Sequence, residues 1–157
     1  MRLCFVIPSD RAEKAYTPLF LMNWTDLILK CAQRGHQVIV SQQANRAECF
    51  KSTGTEVFDA YMCIDPEVVF TPEDVFKLLE SPHDVTGAVM MSSDAMTLTC
   101  GKRLELLQTS EQYLEVEALE PSFVLVQKIP EGWNYTDKIK AHIDTSVRVG
   151  NRVTLNI

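Results

Sequence analysis

The chain has 157 residues, 46% of them hydrophobic and 23% charged, which is enough for one domain with a buried core. Fifteen basic against twenty-one acidic side chains give a formal charge of −6. With no basic stripe or arm, that balance argues against a nucleic-acid backbone as the main partner. No apolar run reaches the length of a membrane span, and no signal-peptide pattern opens the chain. The five cysteines (Cys4, Cys31, Cys49, Cys63 and Cys100) are an odd number without metal-ligand spacing. Four of them sit in or beside apolar runs, so they read as reduced core thiols of a cytoplasmic protein.

Residues 3–7 form an apolar run ended by Pro8 and Ser9, the pattern of a first strand. Residues 10–17 are polar and read as a loop. Residues 18–34 have helical periodicity, with Leu19, Met22, Leu27 and Cys31 on one row and Phe20, Trp24 and Ile28 on the next. Gly35 follows as the C′ residue. The aromatic pair Phe20 and Trp24 reads as core rather than as a stacking platform. Residues 36–41 are the second strand, and residues 44–52 an amphipathic helix stopped by Thr53 and Gly54. Strand, helix, strand in this rhythm predicts right-handed crossovers in a largely parallel sheet.

Residues 60–64 are a short apolar run, a strand covered on both faces. Asp65 falls where it ends, and ligands of open α/β sheets bind beyond strand carboxyl ends. In extended chain Asp65 and Glu67 point the same way. Pro66 keeps Asp65 out of the helical region. Two convergent carboxylates suit a hard divalent cation carrying phosphate oxygens; they also suit a solvated turn. Thr71 then caps a helix whose first turn holds Pro72, Glu73 and Asp74, with Val75, Leu78 and Leu79 as its buried stripe. Residues 84–90 form a further strand. Residues 97–101 and 104–107 look like short strands or a hairpin. Residues 113–117 alternate, and residues 123–126 are a buried run. The predicted core of this sheet comprises Leu3, Phe5, Ile7, Val38, Val40, Met62, Ile64, Val85, Val89, Val124 and Val126, with Cys63 buried and unpaired.

The run Ile64-Asp65-Pro66-Glu67-Val68-Val69-Phe70, followed by Pro72-Glu73-Asp74, resembles the Asp-x-Asp metal segment of GT-A-type nucleotide-sugar glycosyltransferases. Glu67 stands for the second Asp, longer by one methylene. Ile7, Pro8 and Ser9 are similar to that family's opening loop, which holds the nucleotide base. Asn45-Arg46 resembles its Arg-Asn element in reversed order, which implies that Arg46 faces the nucleotide. The tail from Ile143 to Asn151 looks like the family's segment ending in a metal-ligating His. Asn151 takes that place, and His142 lies nine residues away. An amide oxygen holds a hard cation more weakly than the imidazole holds a borderline one.

The likeness spans most of the chain and implies a single GT-A-like α/β domain over residues 1–157, with helices on both faces of a largely parallel sheet. The implied activity is transfer of a sugar from a nucleotide diphosphate sugar to an acceptor. Mn²⁺ or Mg²⁺ would be held by Asp65, Glu67 and Asn151, and the nucleotide by Ile7, Pro8, Ser9, Arg46 and Asp65. Glu120-Pro121-Ser122 replaces the family's Gly-Thr-Gly, and Glu120 is the candidate catalytic base by position. The helix that usually bears the base is shortened or missing: only residues 128–141 stand in its place, and their acids are Glu131 and Asp137. The same departures fit a glycosyltransferase-like module that binds a nucleotide sugar, or serves as a scaffold, without catalysis. An unrelated dinucleotide-binding fold is disfavoured, because no Gly-rich loop follows the first strand.

Overall fold

The apolar runs become seven strands of one sheet in the computed structural model, which describes residues 1–9, 16–90 and 111–151. In chain order the elements are β1 (Arg2–Val6), α1 (Pro18–Gln33), β2 (Gln37–Ser41), α2 (Arg46–Ser52), β3 (Ala60–Ile64), β4 (Val68–Val69), α3 (Pro72–Leu79) and β5 (Val85–Val89). β6 (Tyr113–Leu119), β7 (Phe123–Val126), β8 (Ile139–Arg148) and β9 (Gly150–Asn151) follow. The sheet order is β2-β1-β3-β7-β5-β8-β6, and β4 and β9 form a separate ribbon. The stretches 97–101 and 104–107 and the thiol of Cys100 lie outside the described residues.

The sheet is mixed, which corrects the expectation of a largely parallel one. β1 is parallel to β2 and β3, and β5 to β8. β7, however, runs antiparallel to both β3 and β5, and β6 antiparallel to β8. Parallel neighbours are therefore only half of the pairings. Local periodicity reports that a strand is buried, not which strand lies beside it.

Helices do cover both faces. α1 and α3 pack on one face, burying Phe20, Leu27, Cys31, Val75, Phe76 and Leu78 against Leu3, Phe5, Met62, Ile64 and Leu125. α2 covers the other, where Cys49 and Phe50 meet Cys4, Val6 and Cys63. Full burial of a side chain such as Leu27 or Phe5 stabilises the fold by about 1.5–3 kcal/mol. On α1 Phe20, Leu27 and Cys31 are buried as expected, while Leu19 and Met22 of the expected apolar row are exposed. Trp24 packs edge-on against Phe5 at 5.2 Å, as a core aromatic. α3 starts as its sequence dictates, with Pro72 in the first turn and the Asp74 carboxylate accepting from the Thr71 N–H at 2.8 Å.

Most of the predicted core is buried, including Cys63. Val40 is a correction: it is exposed, and Val38 is only partly buried, because β2 is an edge strand. Cys4, Cys31, Cys49 and Cys63 are free thiols. Among the described residues no helix is long and apolar enough to cross a membrane.

Candidate functional site

Three parallel strands, β2, β1 and β3, end at one rim of the sheet. Residues 7–9 leave β1 there. The Ile7 N–H donates to the Ser41 carbonyl at 3.0 Å, and the Ser9 N–H and hydroxyl both donate to the Gln43 carbonyl, at 2.7 and 2.9 Å. The exit loop of β1 is thus tied to the exit of β2. Ile7 and Pro8 are buried, so within this loop Ser9 is the more open residue.

α2 begins at the same rim. The Asn45 side-chain oxygen accepts from the Glu48 N–H at 2.9 Å, which ends the incoming loop and fixes Arg46 as the first helical residue. From there Arg46 Nη2 reaches Asp65 Oδ1 at 2.9 Å. Both side chains are largely removed from water, with 13% of Arg46 and 6% of Asp65 exposed. A charge pair this dry needs good geometry to offset its desolvation. Arg46 Nε is buried and makes no hydrogen bond among the described residues.

Asp65 is fixed through its backbone as well. Its N–H donates to the Ser122 carbonyl at 2.8 Å, and its carbonyl accepts from the Val68 N–H at 3.1 Å, closing the turn around Pro66 and Glu67. The first bond draws residues 120–122, the connection into β7, against the end of β3. Glu120 lies on that connection and is exposed. Glu67 is half-buried.

The tail returns to this place. The β5–β8 register jumps from Ala88↔Asp144 to Val89↔Arg148, so residues 145–147 bulge out of the ladder. Asp144 is buried at the bend, where Oδ1 accepts from the Ser146 N–H and hydroxyl at 3.0 and 2.6 Å. The bend sends the chain back so that Asn151 pairs with Val68 and Gly150 with Val69. The backbone of Asn151 therefore lies beside the residue after Glu67.

The structure thus brings together Ile7, Pro8, Ser9, Arg46, Asp65, Glu67, Glu120 and Asn151 as one rim, most of them by backbone position. His142 does not join them. It lies near the start of β8, stacked on His83 at 3.6 Å with an interplanar angle of 7°. Glu131 and Asp137 are also elsewhere: the residues between β7 and β8 form turns, not a helix, and Trp133 Nε1 donates to the Asp137 carbonyl at 3.0 Å. Sequence reasoning missed Ser122 and Gln43, which act through backbone carbonyls that carry no residue signature.

Burial pushes the Cys63 thiol, next to this rim, up to about 12, so it is no nucleophile. A cavity of about 590 Å³ opens at the opposite end of the sheet, lined by His83, Asp84, Lys128, Glu131, Lys140 and His142. Its volume is generous, but its two imidazoles are stacked, so their in-plane lone pairs do not converge on one ion. Chemistry converges instead at the Asp65 rim. Among the described residues no cluster of three or more His, Cys, Asp or Glu side chains could hold a metal ion. Asp65 and Glu67 supply carboxylate oxygens, the donor type that a hard cation also bound to phosphate takes. They do not fit a tightly held structural ion, and Arg46 already shares Asp65.

No protein-family description matches the chain, and no curated protein matches it either. Among solved structures, "A197 from STIV" shares the fold with a TM-score of 0.50 at 13% identity, covering 91% of this chain and 81% of that one. The inositol-1-phosphate CTP transferase from T. maritima overlays with a TM-score of 0.42 at 10% identity, over 96% of this chain and 87% of that one.

Proposed function

We propose that the rim formed by the ends of β1, β2 and β3 binds a nucleotide diphosphate sugar and that the chain transfers the sugar to an acceptor. The buried Arg46–Asp65 pair carries this reading. It is a fixed guanidinium–carboxylate couple at strand carboxyl ends, where α/β sheets bind ligands. Its Nε donor is buried and makes no hydrogen bond among the described residues. Arg46 would meet the diphosphate through planar donors that match phosphate oxygens. Asp65 holds the guanidinium in place before the ligand arrives, so little ordering remains to be done on binding. Pro8 and Ser9 border the base, as the resemblance to GT-A enzymes implies. Glu67 and Asn151, with Asp65, would hold Mn²⁺ or Mg²⁺. Such an ion, when bound, supplies Lewis-acid neutralisation of the charge building on the departing diphosphate. On this reading Glu120, exposed on the connection anchored at Ser122, takes the proton from the acceptor hydroxyl.

A second reading, a nucleotide-sugar-binding or scaffold module without catalysis, is favoured by one observation. Asp65 Oδ1 is already held by Arg46, so the charge of the strand end is balanced from within the chain. Calorimetric titration with a panel of nucleoside diphosphates, with and without Mn²⁺, separates the readings. Binding tightened by Mn²⁺ supports transfer, and binding indifferent to metal supports the module. No nucleotide binding under either condition removes the transfer reading and leaves the scaffold module.

A further inference from the structure

The second strand carries an unsolved problem of burial. Val38, Ile39 and Val40 form a continuous apolar run, the pattern of a strand enclosed by neighbours. Yet β2 is the end of the sheet. Val40 lies on the α1 face, in register with Phe5, and Ile39 on the opposite face, in register with Cys4. Both are open to water, Val40 at 47% and Ile39 at 40%.

Among the described residues, three usual protections of an edge are missing from β2. β2 keeps an unbroken register with β1, so it has no bulge. It contains no proline, and residues 37–45 carry no charged side chain. Natural edges normally rely on one of these devices.

Its hydrogen-bonding groups are set for a partner. The Gln37 N–H donates to the Met1 carbonyl at 2.9 Å, and the Ser41 carbonyl accepts from Ile7 at 3.0 Å. Residues 37, 39 and 41 therefore turn their polar groups towards β1. By the alternation of a strand, Val38 and Val40 turn theirs outward.

α1 continues the same surface. Lys30, on one flank of the helix, reaches Glu73 of α3 at 3.5 Å. At 100° per residue the opposite flank, towards β2, carries Leu21, Thr25 and Ile28, with Leu29 and Met22 on the crest. Leu21 is 50%, Leu29 58% and Met22 68% exposed.

We propose that this face is a two-fold interface between copies of this chain, in which β2 pairs antiparallel with the β2 of a second copy and the sheet runs on through both. Placing the axis at Ile39 sets Val38 opposite Val40 of the other copy. These are the residues whose N–H and C=O groups point outward, so four hydrogen bonds form. Ile39 meets its own copy as a non-hydrogen-bonded pair, in which α-carbons stand about 4.5 Å apart. α1 packs over the β2 side of its sheet. With strands about 4.8 Å apart, two-fold-related helices seated near the outermost strand pair come within about 10 Å, ordinary helix contact. The five exposed side chains offer at most on the order of 450 Å² per copy, or about 900 Å² for the pair, an upper bound because Met22 and Leu29 lie on the crest; the paired strand backbone adds to it. A specific interface clears roughly 1,000 Å². A foreign strand could add to the same edge, but only a second copy of this chain also brings a matching α1. The interface leaves the Asp65 rim open, so the proposal stands apart from the transferase reading.

Sedimentation velocity and light scattering on the full chain test it. The expected mass is twice 17.8 kDa. Ile39→Lys should halve that mass with an unchanged circular dichroism spectrum. Ile39→Cys, under mild oxidation, should give a reducible cross-linked dimer that neither the parent chain nor Gln37→Cys gives. Gln37 faces Ser41 in this register, so two copies of it stand too far apart to bridge. A monomer at 100 µM overturns the proposal. So does a dimer that survives Ile39→Lys, or one that Ile39→Cys fails to cross-link.

Discussion

Removing Arg46 tests whether the rim rests on a buried ion pair. In Arg46→Met the apolar stem is roughly retained and the guanidinium is lost. Asp65, 6% exposed, is then left charged with its partner at 2.9 Å removed. Breaking a buried pair in this way costs roughly 3–5 kcal/mol. Because 13% of Arg46 still reaches water, we expect the lower end, about 3 kcal/mol. For a chain of this size that is a fall in Tm of roughly 6–12 °C. Adding Asp65→Asn should recover part of the loss, since the second change removes a buried charge that has lost its guanidinium. Equilibrium urea unfolding followed by circular dichroism, with constant m-value, measures all three variants. A loss below about 1 kcal/mol for Arg46→Met would mean that water screens the pair as at a surface, and the argument from burial fails.

Three further outcomes follow from the same geometry. Glu67→Gln should weaken metal-dependent nucleotide binding by roughly ten- to a hundredfold, and Asn151→His should strengthen Mn²⁺ binding; unchanged calorimetry in both would place the cation elsewhere. Burial, reinforced by the charge of His83, holds the His142 imidazole below its usual 6.5, with Glu115 opposing and Lys140 adding to the shift. The unfolded chain therefore takes up this proton first on acidification, so the contribution of neutral His142 is present above about pH 6.5 and lost below it. His142→Phe should flatten the fall in urea midpoint between about pH 7 and pH 5, and an unaltered slope would contradict it. Burial pushes the Cys4 and Cys63 thiols up to about 12, so iodoacetamide at pH 8 should label them only after unfolding; mass mapping of the native protein decides this.

What was legible in the sequence was local. The run 60–64 with Asp65 at its end and the Thr71-Pro72 helix start each follow from residues within one turn or strand, whereas the helix expected from residue 44 starts at Arg46 behind an Asn45 cap. The pairing of Arg46 with Asp65 at 2.9 Å was not among the expectations: the resemblance implied only that Arg46 faces the nucleotide. Long-range pairing was not legible. Nothing in residues 123–126 says that they enter antiparallel between β3 and β5, and the apolar run 38–40 reads the same at an edge as in the middle of a sheet. The expected α1 row took in Leu19 and Met22 because they are as apolar as Phe20. Only the direction of the sheet decides which of them it buries.

The place of β7 has a bearing on when this protein can first work. Asp65 is translated early, but its N–H partner, Ser122, and the strand that pairs with β4, at residues 150–151, come late. As the chain leaves the ribosome, β3 can associate with β1, while its other side waits for residues 123–126. Contacts of such sequence separation form slowly, and an unpaired strand is exposed to wrong partners meanwhile. The Asp65 rim is therefore one of the later parts of the molecule to take shape, because it needs residues 122 and 150–151 as well as those at the start of the chain.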